Sequence, residues 1–352
     1  MKCINILLNR LKQESLDALI VSSAANISYL SGVIANDAYL LVSKKETIYF
    51  TDSRYTQEVK PKLAGKMSLK RANGSVFELI AKSCLDLELS RVGFEERSLP
   101  FAEYKKTKER LKGKAYLVPT YNLVENQRQI KNAEEISKIR EALKITAQAL
   151  DFIKGFIKPG VKELEIAAEL ERFIHYKGAQ GAAFEIIVAS GVNSAFAHHK
   201  PTQKRLQDGE CLLIDMGVEC SGYKSDLTRV FFLGKINSLS RKIYEIVLKA
   251  QEKAIKKIRP GEEISRIDAL SRKYIADNGY AQFFGHSLGH GVGLEIHEAP
   301  SVSGKNDALL KAGMVFTVEP AIYLPGKFGI RIEDMILVTE KGYEVLSVAI
   351  NK

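Results

Sequence analysis

The sequence predicts two domains: a smaller α/β domain over residues 1–124, then an α+β domain over 125–352 with an internal pseudo-two-fold repeat. Three observations carry this. Helix and strand patterns alternate through residues 1–120. A freshly capped helix starts at Asn132. A helix–helix–hairpin unit then occurs twice, its Pro-Gly landmarks 101 residues apart (Pro159 to Pro260). At 352 residues the chain can bury a sizeable core, and its length favours two domains over one.

In the first domain, MKCINILLNRLKQESLD reads as an amphipathic helix with no small-residue cleavage site, hence not a signal peptide. DALIVSS (17–23) is a strand and ISYLSG (27–32) a turn. AYLLVSK (38–44) and TIYFTD (47–52) form a hairpin. FELIAKSCLDL (77–87) is helical, RVGFEE (91–96) a strand, FAEYKKTKERLKG (101–113) helical and AYLVPT (115–120) a strand. Asp52 and Arg54 are the most noticeable polar residues, read as an ion pair or turn; the alternative is a reach toward a partner subunit's site. The boundary falls near 121–131. Asn132-Ala133-Glu134-Glu135 resembles a capping box, and apolar residues from Ile136 to Ile157 recur at helical spacing until Pro159-Gly160 stops the helix.

The repeat pairs IKPGVKELEIAAELERFIHYKGA (157–179) with IRPGEEISRIDALSRKYIADNGY (258–280). After the first copy, CLLIDMGVECSGYKSDLTR (211–229) reads as a hairpin turning near Cys220 and Ser221. Antiparallel pairing about that centre sets Asp215 across from Asp226, with Cβ atoms roughly 5 Å apart. The plain alternative is a turn cap at Asp215 and a solvated Asp226, but an unpaired charge inside LLIDMG is costly. Two like charges so close call for a cation between them or a shared proton. After the second copy, MVFTVEPAIYLPGKFGIRIEDMILV (314–338) is again a hairpin, with Glu319 and Glu333 symmetric about Pro325-Gly326-Lys327. A pseudo-symmetric domain brings both acidic pairs to one cavity.

The composition narrows the function. A hydrophobic fraction of 45% and a charged fraction of 27% are those of an ordinary soluble protein, and no apolar run approaches the ~18 residues that span a bilayer. Cys3, Cys84, Cys211 and Cys220 are scattered without a C-x-x-C pair, which suits a reducing cytoplasm. The net charge of +10 raises nucleic-acid binding. Its densest run, KKTKERLKGK (105–114), reads instead as a solvated helix face, and no aromatic-studded motif accompanies it.

Five of the six histidines lie at 198, 199, 286, 290 and 297; His175 ends a helix and is read as structural. FGHSLGHGVGLEIHE (284–298) sets three histidines among glycines, which let backbone approach a ligand closely. Two Asp, two Glu and one His make an oxygen-rich set suited to two divalent ions about 3.5–4 Å apart with water activated between them. Such ligation suits Mn²⁺, with Co²⁺ or Zn²⁺ as alternatives.

LLIDMG, SDLTRVFF, GHGVGLEIHE, VEP and GIRIED together resemble the pita-bread metallopeptidase family, within it the proline-specific branch of aminopeptidase P and prolidase. NISYLSG, TDSRYT and VGFEE match that branch's amino-terminal domain, so the resemblance covers essentially the whole chain. It implies a creatinase-like amino-terminal domain and a pita-bread catalytic domain. It places metal ligands at Asp215, Asp226, His290, Glu319 and Glu333, with Asp226 and Glu333 bridging the ions. A metal-bridging hydroxide would attack the scissile carbonyl while Glu319 passes a proton to the leaving proline nitrogen. His198, His286 and His297 fall on substrate-side positions, and Arg331 orients the carboxylates. One departure stands out: the branch commonly has Pro before the histidine matching His198, and here that place is Ala197, followed by His199.

The resemblance thus implies an Xaa-Pro aminopeptidase acting on a peptide with proline in second position, as a homodimer. Xaa-Pro dipeptidase (prolidase) is the alternative. The aminopeptidase is preferred because no device in the sequence rejects a longer chain. The additional amino-terminal domain argues against methionine aminopeptidase. Intact acids and histidines argue against creatinase-like enzymes and against a non-catalytic binding module on the same fold.

Overall fold

Ala18–Val21 (β1) is buried throughout, and alternation divides it: Leu19 and Val21 enter one apolar cluster, Ala18 and Ile20 another. A strand covered on both faces needs no polar side, so DALIVSS reads as an unbroken apolar run. β1 lies inside the first of two compact units, Met1–Arg128 and Gln129–Lys352, in a computed structural model that describes residues 2–348.

In the first unit α1 (Lys2–Gln13) precedes β1. It is followed by α2 (Ala24–Ser31), β2 (Tyr39–Ser43), β3 (Thr47–Thr51), α3 (Thr56–Leu63), β4 (Ser68–Arg71), α4 (Val76–Asp86), β5 (Arg91–Glu95), α5 (Phe101–Leu111), β6 (Tyr116–Thr120) and α6 (Glu125–Arg128). The sheet runs β4-β3-β2-β1-β5-β6. Its β1–β2–β3 pairings are antiparallel, and β3–β4, β1–β5 and β5–β6 are parallel. Ile4, Leu7, Ile27, Leu30 and Val59 from α1, α2 and α3 cover one face; Phe77, Ile80 and Leu111 from α4 and α5 cover the other.

The turn expected at 27–32 is the body of α2. Ser23 caps this helix by accepting from Asn26 N, and Gly32 ends it in the left-handed region at φ 72°. Gly32, which closes the stretch read as a turn, is the stop of a helix whose Ile27 and Leu30 enter the core. Arg54 pairs with Asp52 at 2.6 Å and with Asp37 at 2.8 Å, all on the surface.

In the second unit Asn132 caps α7 (Ala133–Ile153), accepting from Glu134 N and Glu135 N, while Glu135 Oε2 accepts from Asn132 N. This helix stops at Ile153, earlier than the expected Pro159. The N–H groups of Lys154, Gly155 and Phe156 reach carbonyls only three residues back, a tightened last turn that uses up the helix end. There follow α8 (Glu163–Tyr176), β7 (Gly181–Ala182), β8 (Ile187–Ser190), β9 (Cys211–Met216), β10 (Val218–Cys220), β11 (Tyr223–Lys224) and β12 (Leu227–Phe232). The second half supplies α9 (Ser238–Ile255), α10 (Ile264–Asp277), β13 (Gly289–Gly291), β14 (Glu298–Val302), β15 (Val315–Val318), β16 (Ala321–Leu324), β17 (Phe328–Arg331), β18 (Asp334–Val338) and β19 (Tyr343–Val345).

The repeat survives as two cores. Ile139, Leu143, Ile166 and Leu170 of α7 and α8 anchor one cluster; Ile243, Val247, Ile264 and Ile267 of α9 and α10 anchor the other. The starts of α8 and α10 keep the offset of 101 residues, 163 against 264. No helix among the described residues is long and apolar enough to cross a membrane.

Candidate metal centre and active site

The first hairpin keeps one register from β9–β12 to β10–β11, with Asp215 opposite Thr228 and Cys220 opposite Tyr223. Its centre lies between Ser221 and Gly222, later than expected. The same register carries Asp226 opposite Gly217, so Asp215 and Asp226 are diagonal neighbours on one face and not the facing pair that was expected. Gly217 is needed there: a Cβ would lie 1.9 Å from the Ser225 carbonyl oxygen.

The second hairpin places its acids face to face. The β15–β18 ladder ends at Val318 opposite Asp334, and the β16–β17 ladder begins at Ala321 opposite Arg331. Glu319 and Glu333 occupy facing positions in the gap between them. Backbone groups exposed by the gap find other partners: Glu319 N donates to Leu288 O at 2.8 Å and Glu333 N to Thr228 O at 3.3 Å.

Sequence reasoning missed the residue that braces this gap. The side chain of Gln251, fully buried on α9, donates to Val318 O at 2.9 Å and Ile332 O at 3.1 Å, the carbonyls just before the two glutamates. Nothing in the helical pattern distinguishes it from any other polar residue. Gln251→Leu is expected to lower the unfolding free energy by about 2–4 kcal/mol, since two buried carbonyls lose a donor. Urea denaturation checks this, and an unchanged midpoint would remove the bracing role.

His290 comes from β13. The glycines around it bring strands together, not backbone to a ligand as expected: a Cβ on Gly289 would lie 1.9 Å from Thr317 O, and one on Gly291 2.3 Å from Ala299 O. His290 Nδ1 donates to Gly291 O at 3.2 Å, which turns Nε2 toward Asp226 Oδ2 at 3.5 Å and Glu319 Oε1 at 3.3 Å. One donor atom each from Asp226, His290 and Glu333 lie within 4.8 Å of one another. Asp215, Asp226, His290, Glu319 and Glu333 all line one cavity of about 580 Å³.

The electrostatics of this group are those of a crowd of buried carboxylates. Burial, followed by the charges of Glu333 and Asp215, pushes Asp226 well above the usual carboxylate range. Burial, followed by Glu319 and Asp215, does the same to Glu333. Glu319 is lowered although burial opposes it, because His290 hydrogen-bonds to it. Asp215 Oδ2 accepts from Arg331 Nη2 at 2.6 Å, yet its Oδ1 is buried with no hydrogen-bond partner. Oxygen donors, one imidazole nitrogen and an orphaned buried carboxylate oxygen suit a divalent cation of the harder kind.

Arg331 reaches four groups. Besides Asp215 it donates to Thr228 Oγ1 at 3.1 Å, Ala197 O at 3.2 Å and the Tyr323 hydroxyl. Thr228 Oγ1 in turn donates to Glu333 Oε2 at 2.8 Å, and Thr317 Oγ1 to Glu319 Oε1 at 2.9 Å. Tyr323, Thr228 and Thr317 also escaped the sequence reading, being ordinary strand residues by pattern.

His198, His199, His286 and His297 line the same cavity. His198 is exposed, while the His297 ring lies 4.3 Å from that of His290, edge on. His286, expected on the substrate side, lines the cavity with its Nδ1 donating to Ser287 O at 2.8 Å and its Nε2 meeting the Tyr323 hydroxyl at 3.3 Å. Burial lowers His286 and His297 and favours their neutral forms. His175 is exposed in the last turn of α8.

Comparison with known proteins decides the family. Residues 137–340 match the model of metallopeptidase family M24, and residues 4–130 that of the creatinase/prolidase N-terminal domain. The chain belongs to metallopeptidase family M24. This metallopeptidase is 36% identical to a Xaa-Pro dipeptidase of Pyrococcus horikoshii over 95% of this chain and 93% of that one. A solved Xaa-Pro dipeptidase from Bacillus anthracis superposes with a TM-score of 0.95 at 37% identity, covering 99% of this chain and 97% of that one. An X-Pro aminopeptidase from Thermotoga maritima gives 0.89 at 35%, covering 96% and 97%. The metallopeptidase therefore has the pita-bread fold expected from its motifs, acts on peptides and uses divalent metal ions.

Proposed function

We propose that this metallopeptidase hydrolyses the bond between an N-terminal residue and a following proline, as a cytoplasmic homodimer. Asp215, Asp226, His290, Glu319 and Glu333 would hold two divalent ions, Mn²⁺ foremost, with Co²⁺ or Zn²⁺ able to replace it. The observation that carries the reading is the convergence of these five side chains on one cavity, with Asp215 Oδ1 buried and unpartnered. The relatives named for Xaa-Pro cleavage support the substrate.

When bound, the ions supply an activated water and polarise the scissile carbonyl. The protein's own groups do the rest. Glu319 takes the water's proton and returns it to the proline nitrogen, with Thr317 Oγ1–H holding its carboxylate in place. His198 and His297 donate to the substrate and to the oxygen on which charge develops. Arg331 holds Asp215, and Tyr323 links Arg331 to His286, so that histidine steadies the arginine.

The dipeptidase reading is kept beside the aminopeptidase because two of the relatives above bear the name Xaa-Pro dipeptidase. The test strips the protein with chelator, restores each metal, and offers an Xaa-Pro dipeptide, an Xaa-Pro-Yaa tripeptide and a Met-Ala-Yaa tripeptide. Metal-dependent cleavage before proline in the tripeptide is expected. Cleavage of the dipeptide alone would make it a prolidase, and preference for Met-Ala-Yaa would overturn the proline reading. Light scattering reads the oligomeric state.

A further inference from the structure

Glu163, the first residue of α8, is a fully buried carboxylate outside the metal cluster. Its Oε1 accepts from Ser190 N at 2.7 Å, Ser190 Oγ at 2.8 Å and Asn193 Nδ2 at 3.0 Å. Its Oε2 accepts from Thr202 Oγ1 at 2.7 Å, Thr202 N at 3.1 Å and His199 Nε2 at 3.0 Å. A carboxylate only accepts, so His199 donates through Nε2. All these donors belong to residues 190–202, two near the start of the segment and two near its end. One anion thereby closes the base of the loop that brings His198 to the cavity.

His198 itself is exposed, as is its neighbour Phe196 at 65%. Its place is set by the residues on either side. The Ala197 carbonyl is held by Arg331, the same guanidinium that binds Asp215, and the His199 ring is held by Glu163. The backbone at His198 is thus tied on one side to the metal cluster and on the other to a buried anion.

We propose that Glu163 is a positioning residue for the peptidase reaction, acting through His199 to hold His198 in place against the substrate. The inference rests on the proposed function, in which His198 touches substrate. Misplacing such a donor by about 1 Å costs on the order of 10²-fold in rate, and partial loosening correspondingly less.

The test is a double-mutant cycle on the Mn²⁺-loaded full chain with an Xaa-Pro-Yaa tripeptide. His199→Ala is expected to lower kcat about tenfold with KM nearly unchanged, at unaltered metal content. His199→Gln, whose amide can still donate to Glu163, should recover most of the loss. In a His198→Ala background His199→Ala should add less than about twofold, because its effect passes through His198. Glu163→Gln, measured the same way, should show the same dependence on His198. Multiplying effects of His198→Ala and His199→Ala, full activity in His199→Ala, or no rescue by Gln would each overturn the proposal. A wild-type protein that cleaves no peptide overturns the functional reading itself, whereas an active wild type with multiplying effects overturns the positioning role alone.

Discussion

Asp226→Asn is expected to abolish peptide cleavage, by a factor of about 10³ or more, and yet to raise the melting temperature of chelator-stripped protein. Both effects come from one crowd of charge. Asp226 and Glu333 are buried together, and burial and each other's neighbours make their ionised forms unfavourable. Without a cation the cluster opposes folding, so a neutral amide of the same shape relieves it. Relief of about 1 kcal/mol corresponds to roughly 1–2 °C in a chain of 352 residues. With Mn²⁺ present the order reverses, since wild type gains the free energy of ion binding and the variant does not. Paired thermal scans with and without metal check this. A stripped variant that melts below stripped wild type would show that Asp226 is an ordinary structural carboxylate.

Arg331→Met should cost about 3–5 kcal/mol of stability, the penalty for leaving a buried carboxylate without its partner. It should cost at least about 100-fold in activity too. Asp215 loses its 2.6 Å contact, and the Ala197 carbonyl, Thr228 hydroxyl and Tyr323 hydroxyl lose a shared donor. Arg331→Lys should recover little activity, because one ammonium cannot reach groups that the planar guanidinium reaches on several sides. Bound Mn²⁺ should offset part of the stability loss in Arg331→Met by supplying Asp215 with a cation. Urea titrations with and without metal test this, and a fully active Arg331→Lys would remove the bracing role of the guanidinium.

What the sequence disclosed follows physical lines. Strands buried on both faces, such as Ala18–Val21, announce themselves as apolar runs. The repeat was visible because Pro-Gly recurs at equal spacing before α8 and α10. The edge strand Ser68–Arg71 has no buried residue, and α3 carries Pro61 inside it, so neither showed a period to read. Asp215 and Asp226 were paired two residues out of register because the turn centre was judged from composition, while the ladder settled it one residue later, between Ser221 and Gly222. All four acids and the one histidine of the cluster were legible as chemistry. Gln251, Thr228, Tyr323 and Glu163 were not: Glu163 and Thr228 act through side-chain contacts 27 or more positions away in sequence, Gln251 through the gap between two ladders, and Tyr323 through Arg331 and His286. A bracing amide on a helix looks like a solvent-facing one until the carbonyls above it are seen.

In the proposed function five side chains hold two divalent ions in one site. Mn²⁺ stoichiometry on stripped and reloaded protein, joined to electron paramagnetic resonance of the loaded form, tests this. Two Mn²⁺ per chain are expected, with the signal of a spin-coupled pair that is lost in Asp226→Ala. A single isolated Mn²⁺ signal, or a coupled pair that survives Asp226→Ala, would contradict it.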